Sequence, residues 1–319
     1  MKKVFIVGSA GTTGLRLQQR LSQRSDVELL EVSPELRKEN SEILRIMQQA
    51  DFCFLCLPDG AALELAALAQ DYTVRIIDTS TAHRCSPNWV YGFPELSDRQ
   101  RSDIQSARRL CSPGCHASGF IALVYPLVAA GALDRSCLLS CTSITGYSGG
   151  GKQMIAEYEA SEKSSLLKSP KPYALGQSHK HIPEIMQQCS LLNQPIFMPV
   201  VGDYYSGMLV NIPLHGDMLA KAMTADDLRQ LYKAHYTTSG LISVSDKPAD
   251  FLFAGELSGQ DNMRICVSGS SERLVLSCLF DNLGKGASGA AIQCFNLMCG
   301  LPEETGLCIG KAEAEQHKI

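Results

Sequence analysis

Val4-Phe5-Ile6-Val7-Gly8-Ser9-Ala10-Gly11-Thr12-Thr13-Gly14 is a short apolar run that passes into glycines spaced G-x-x-G-x-x-G. The run is strand-like, and Thr12–Gln23 after it carries Leu17 and Leu21 on one face of a helix. A strand that feeds a helix through glycines lets the backbone approach a pyrophosphate. The helix N-terminus then offers it N–H groups and a positive dipole end. Gly8, Ser9, Ala10, Gly11, Thr12, Thr13 and Gly14 are therefore candidate cofactor contacts. The spacing departs from the commoner G-x-G-x-x-G, and a tight strand–helix turn without a ligand is the competing reading. What favours the cofactor is context: further apolar strands at Val27–Val32, Asp51–Leu57 and Arg75–Asp78 alternate with helical stretches. Such alternation implies a parallel sheet covered on both faces.

The end of the second strand reads Glu31-Val32-Ser33-Pro34-Glu35-Leu36-Arg37-Lys38. A carboxylate here suits NAD, whereas a hydroxyl or a cation accepts the 2′-phosphate of NADP. Ser33 and Arg37 favour NADP, against the vote of Glu31.

After residue 114 the pattern changes. A helix is expected from Cys115 to about Ala130, followed by strands at Leu138–Thr145, Ile196–Val201, Met208–Pro213, Met263–Val267 and Leu274–Phe280. That is a mixed α+β domain with a mostly antiparallel sheet. Ala287–Cys299 is again helical and is expected to return to the first domain, and the polar end Lys311–Ile319 to fray.

Cys111-Ser112-Pro113-Gly114-Cys115-His116-Ala117-Ser118-Gly119 places Cys115 at the start of a helix. A helix N-terminus lowers a thiol pKa, and nearby amides can hold an oxyanion. Cys115 is one thiol of thirteen, most of which should be structural. The Pro-Gly before it and the small residues after it single it out as accessible, while Cys111 reads as buried in a strand. A metal reading of Cys111 with Cys115 lacks a second ligand pair. His179-Lys180-His181-Ile182-Pro183-Glu184 puts two imidazoles two residues apart, suited to proton transfer near neutral pH. Surface histidines, or half of a zinc site, are the alternatives. Three further stretches follow strands or open helices: Asp78 to Arg84, Gly146 to Lys152, and Asp281 to Gly289. Each fits anion or ligand contact, and each fits plain turn chemistry equally well.

Composition narrows the classes. The chain has 319 residues, 45% of them hydrophobic and 19% charged, with a formal net charge of −4. Without a basic block, nucleic acid and anionic membranes are poor partners. The apolar run after Met1-Lys2-Lys3 is too short for a signal peptide, and Phe120–Leu133, which contains Pro126, reads as a buried helix rather than a membrane span. An odd number of irregularly spaced cysteines fits reduced thiols in the cytoplasm.

In combination these motifs resemble the N-acetyl-gamma-glutamyl-phosphate reductase family in its shorter subfamily. The resemblance runs through the glycine-rich start, Asp78-Thr79-Ser80 with Arg84, Val90 to Leu96, Pro113-Gly114-Cys115, Ser148 to Lys152, His179-x-His181-x-Pro-Glu184 and Lys285 to Gly289. It departs at Ser206-Gly207, where longer members carry Arg-Gly. It implies an α/β fold: a Rossmann-type NADP-binding domain (1–114 with 285–319) and an α+β substrate domain like that of glyceraldehyde-3-phosphate dehydrogenase (115–284). It further implies a homo-oligomer, a tetramer or a dimer, that acts on a small-molecule acyl phosphate. Cys115 would be the nucleophile and His179 the preferred base, with His181 as base or substrate contact. Ser148, Gly149 and Asn282 would join the cofactor site, and Arg84, Gly114, Lys152 and His181 would meet substrate. Neighbouring expectations are reduction of aspartyl phosphate or aminoadipyl phosphate, or a dinucleotide-binding regulator without turnover.

Overall fold

The computed structural model describes residues 1–310. The expectation for Lys311–Ile319 lies outside these residues. The chain divides into two compact units, Met1–Gly114 with Ala290–Gly306, and Cys115–Gly289 with Leu307–Gly310.

The first unit begins with β1 (Lys2–Val7), α1 (Thr12–Leu21), β2 (Val27–Leu30), α2 (Asn40–Met47), β3 (Phe52–Leu55), α3 (Asp59–Leu68) and β4 (Arg75–Asp78). A short β5 (Val90–Tyr91), α4 (Asp98–Ser106) and β6 (Arg109–Cys111) complete its sheet. The strand order is β2-β1-β3-β4-β6-β5 and every pairing is parallel. Phe5, Val7, Cys53, Leu55 and Ile76 are buried in this sheet against Ile43, Met47 and Leu65 of the helices. The chain moves from β1 out to β2 and back across to β3. Gly8 therefore stands at the switch point, beyond the carboxyl end of β1, where open α/β sheets bind ligands.

The second unit opens with α5 (Cys115–Ala129), followed by β7 (Ser140–Gly146), α6 (Gly151–Glu159), β8 (Lys171–Pro172), α7 (Ile182–Gln188), β9 (Ile196–Gly202) and β10 (Met208–His215). Then come α8 (Ala225–His235), β11 (Ile242–Val244), β12 (Met263–Gly269) and β13 (Arg273–Phe280). Its seven-stranded sheet runs β11-β12-β13-β10-β7-β9-β8. The β11/β12 and β7/β9 pairs are parallel and the others antiparallel. Helix α5 is apolar almost all round and packs on β10 and β13 so closely that a Cβ at Gly119 would lie 2.5 Å from Val210 Cγ2. Pro126 lies inside it and removes the N–H that would bond the Ala122 carbonyl. Tyr236 Oη, at the end of α8, donates to that carbonyl instead at 2.7 Å.

Helix α9 (Gly289–Cys299) belongs to the first unit from Ala290 on. Phe295 meets Phe52 edge-on at 4.9 Å and Phe54 at 5.8 Å. Residues 285–289, grouped with the first domain in the sequence division, belong instead to the second unit. The Asp281 carboxylate anchors that turn by accepting from Leu283 N at 2.6 Å and Gly284 N at 2.9 Å. Leu307–Gly310 lies with the second unit as well, because Asp261 and Cys308 exchange backbone and carboxylate bonds at 2.7 and 2.8 Å.

Candidate active site

Cys115 is the first residue of α5 and is partly exposed. Its backbone therefore lies where the unpaired N–H groups and the positive dipole end of the helix are found, a setting that favours thiolate. Gly286 packs beside it, since a Cβ there would come within 3.0 Å of Cys115 Cβ. Cys111, by contrast, lies in β6 with no exposure. All thirteen cysteines are free thiols, and burial pushes Cys56 up to about 12 and Cys299 up to about 11.

Around the start of α5 the second unit gathers imidazoles. The rings of His179 and His181 are 4.8 Å apart, and each lies near His116, at 5.4 and 5.7 Å. His179 closes a turn: its carbonyl accepts from Ile182 N at 3.0 Å, and its Nδ1 accepts from His181 N at 3.2 Å. A ring that accepts at Nδ1 carries its neutral-state proton on Nε2. Burial, helped by the charge of Lys180, pulls His179 down to about 4, so it is neutral at physiological pH. His181 is buried just ahead of α7. Phe197 closes the cluster, 5.5 Å from His116 and 5.1 Å from His179.

Sequence reasoning missed His116 and Tyr173. His116 Nδ1 lies 2.6 Å from Ser143 Oγ and its Nε2 lies 2.8 Å from Tyr173 Oη. Burial first, then the charges of His179 and Lys180, pull His116 down to about 3. Adjacency to Cys115 was a signal for His116. Tyr173, 57 positions from it, had none.

The remaining candidates divide between the units. In the second, Ser148 and Asn282 meet directly, Nδ2 of Asn282 donating to Ser148 Oγ at 2.9 Å while its Oδ1 accepts from Gly207 N at 2.9 Å. Gly149 is next to them, and Lys152 is exposed in the first turn of α6. The Ser206-Gly207 departure is absorbed here: Ser206 Oγ donates to Asp281 at 2.9 Å and is buried. In the first unit, Arg84 is buried and spends its guanidinium on backbone, donating to the carbonyls of Ser112 at 3.0 Å and Thr79 at 3.2 Å. It thereby braces the strand end that leads into Pro113-Gly114. A buried Asp78–His83 pair at 2.6 Å, with His83 stacked on Trp89 at 3.8 Å, holds the same loop. Gly114 is buried, and Ser33 and Arg37 are exposed just after β2.

The glycine turn fits a dinucleotide. Gly8 has φ +83°, and a Cβ there would sit 2.2 Å from the Cys56 carbonyl oxygen, while one at Gly14 would sit 2.4 Å from the Gly8 carbonyl oxygen. Gly11 caps α1 without a side-chain hydrogen bond, which leaves first-turn N–H groups for a phosphate. Among the described residues no group of three or more His, Cys, Asp or Glu is placed to hold a metal, and no helix is long and apolar enough to cross a membrane.

Comparison with known proteins agrees with this division. Residues 3–106 match the semialdehyde dehydrogenase NAD-binding domain, and residues 115–282 match the semialdehyde dehydrogenase dimerisation domain. N-acetyl-gamma-glutamyl-phosphate reductase 2 of Nostoc sp. is 39% identical over 96% of this chain and 99% of its own length. The enzyme of the same family name from Sinorhizobium fredii is 41% identical over 93% of this chain and 98% of its own. The chain belongs to the N-acetyl-gamma-glutamyl-phosphate reductase family. Its fold is also that of more distant solved structures. Aspartate semialdehyde dehydrogenase II of Vibrio cholerae, complexed with ASA, superposes with a TM-score of 0.70 at 14% identity over 94% of this chain and 98% of its own. Aspartate semialdehyde dehydrogenase of Candida albicans with NADP gives 0.65 at 15% identity over the same shares. The Rossmann-type domain and the α+β domain expected from the sequence are thus both present.

Proposed function

We infer that this chain reduces N-acetyl-gamma-glutamyl phosphate with NADPH, releasing phosphate and N-acetyl-glutamate semialdehyde, as a step of arginine biosynthesis. The observation that carries this reading is Cys115 heading a buried helix beside an imidazole cluster, in a chain that reductases of that name match end to end. The relatives supply the acyl group; the site supplies the chemistry.

Cys115 thiolate attacks the acyl carbonyl, the carbon–phosphate oxygen bond breaks, and a thioester remains. Bound NADPH supplies the hydride that takes the acyl group to the aldehyde level. Gly8 to Gly14 would hold its pyrophosphate and Ser33 and Arg37 its 2′-phosphate; Ser148, Gly149 and Asn282 are proposed as further cofactor contacts. The tautomer of His179 favours a role as donor through Nε2–H, so His181 is the better candidate to take the thiol proton. This reverses the preference that the sequence alone suggested. Lys152, Gly114 and His181 are the proposed substrate contacts. Arg84 donates to the carbonyls of Ser112 and Thr79 and so holds the end of the strand that leads into Pro113-Gly114.

The enzyme is proposed to work in the cytoplasm as a dimer or tetramer. A sheet face of the second unit supports self-association: Ile196, Met198 and Val275 stand exposed on it at 59%, 40% and 40%. Reduction of another acyl phosphate, such as aspartyl phosphate, is the rival activity.

The deciding experiment offers the purified enzyme N-acetyl-glutamyl and aspartyl phosphates with NADPH. It pairs turnover with alkylation of Cys115 by iodoacetamide. Turnover should favour the N-acetyl-glutamyl compound and vanish in Cys115→Ser, with NADPH affinity retained. His181→Ala should slow both alkylation and kcat, the latter by about 10²–10⁴-fold, while His179→Ala should leave alkylation nearly intact. Residual kcat above about a few percent in Cys115→Ser would exclude covalent catalysis.

A further inference from the structure

Ser143, His116 and Tyr173 form a hydrogen-bonded chain with a readable direction. His116 is buried with both ring nitrogens engaged, so it is not the base for its neighbour Cys115. Held near a pKa of about 3 by burial, its ring is neutral and carries a single N–H. The serine hydroxyl, that N–H and the phenol each bring one hydrogen, and the two bonds of the chain consume two of the three. The direction decides which end keeps the spare hydrogen.

Ser143 is fully buried, and among the described residues its Oγ bonds His116 alone. If Tyr173 donated to Nε2, then Nδ1–H would donate to Ser143. The serine hydrogen would be left in the interior without an acceptor, an arrangement folded proteins avoid. With the opposite direction every buried hydrogen is used. Ser143 O–H donates to Nδ1, Nε2–H donates to the Tyr173 oxygen, and the phenolic hydrogen points away from His116. The phenol lies in the imidazole pocket, 5.8 Å from the His179 ring, and burial first, then the charge of Cys115, push its pKa up.

We propose that Tyr173 is a further catalytic residue: it donates a hydrogen bond to the acyl oxygen that gains charge when Cys115 attacks, with His116 and Ser143 as its positioning residues. The proposal rests on the acyl-phosphate reductase reading. As the S–C bond forms, the carbonyl π pair moves onto oxygen. It returns as the bond to phosphate breaks, and the phenolic proton stays on Tyr173 throughout. The reverse direction of the chain would present a lone pair to that oxygen and oppose the step. Preorganised donors of this kind act most strongly where water is excluded, and the His116 side of this pocket is closed by Phe197.

The test uses the full chain with NADPH and acyl phosphate. Tyr173→Phe should lose about 10²–10³ in kcat. Its KM for NADPH and the rate of Cys115 alkylation by iodoacetamide should stay within about twofold of the parent, because the free thiol has no charged acyl oxygen to stabilise. Ser143→Ala should lower kcat by about tenfold or more, and Ser143→Thr should restore most of it, because only the hydroxyl matters. A kcat within about threefold of the parent in Tyr173→Phe, or a parallel fall in alkylation and kcat, would overturn the proposal. Should Tyr173→Phe not fold, the serine pair decides: Ser143→Ala with parental kcat overturns it. A parent that makes no aldehyde would sink the reductase reading and this role together. A parent that turns over beside an equally active Tyr173→Phe would sink this role alone.

Discussion

A buried imidazole makes acid stability a property of single residues. His116 titrates near 3 and His179 near 4 in the fold, both below the ordinary value of 6.5. Below that value the unfolded chain binds protons that the folded chain refuses, so stability is whole above about pH 6.5 and drains away as the pH falls toward 3. His116 alone should cost up to about 1.4 kcal/mol for each pH unit in that window. Urea unfolding at pH 7.5 and at pH 5 should show the loss, and His116→Gln should flatten it; an unchanged slope would show that the ring is not held neutral. The sequence displayed Cys115 clearly, because a helix start after Pro-Gly is a local pattern. It also displayed the His-x-His pair. The tautomer of His179 was not legible, since that depends on one turn in which the His181 amide lands on His179 Nδ1. The roles of Tyr173 and Ser143 depend on long-range pairing and leave no local trace.

At the scale of elements, α5 repairs its own defect from outside. Pro126 strips the Ala122 carbonyl of its helical partner, and Tyr236 fills the position, while Tyr232 Oη donates to the next carbonyl, Leu123, at 2.6 Å. Tyr236→Phe should therefore cost about 1–3 kcal/mol, the penalty of a buried unsatisfied carbonyl, with little change in turnover. Denaturant melts of the variant check this. A loss no larger than that of an exposed tyrosine would mean that the carbonyl finds another donor. The apolar run Phe120–Leu133 was readable as a buried helix because its apolar residues leave no polar face, although the helix itself ends at Ala129. The first four parallel strands were readable as well, from apolar runs of the right length. The short β5 and β8, of two residues each, lack any pattern, since their pairing comes from the neighbours. The turn at 284–288 was read as the opening of the last helix and its unit, whereas the Asp281 carboxylate binds it to β13.

At the scale of the whole molecule, the self-association proposed for the exposed face of the second sheet would couple stability to concentration. Ile196 and Met198 on β9 pair with Ser140 and Thr142 of β7, Thr142 pairs with Asn211 of β10, and Pro213 of β10 pairs with Val275 of β13, so the face mixes apolar side chains with hydroxyls and an amide. If two copies join there, the thermal midpoint should rise with protein concentration, and Met198→Glu with Val275→Glu should shift sedimentation toward the monomer. A midpoint independent of concentration, with unaltered sedimentation in the double variant, would place the contact elsewhere. The closing of the first unit by α9 has a consequence in time. A ribosome releases β1 to β6 long before it makes Phe295, which lies against Phe52 and Phe54, or Asn296, which accepts from Arg24 at 2.6 Å. At synthesis rates of roughly 5–20 residues per second, the nascent sheet waits on the order of 10–40 seconds for its last helix. During that interval an aromatic seam stays bare, so the newborn N-terminal third is a natural client for chaperones until the far end of the same chain arrives.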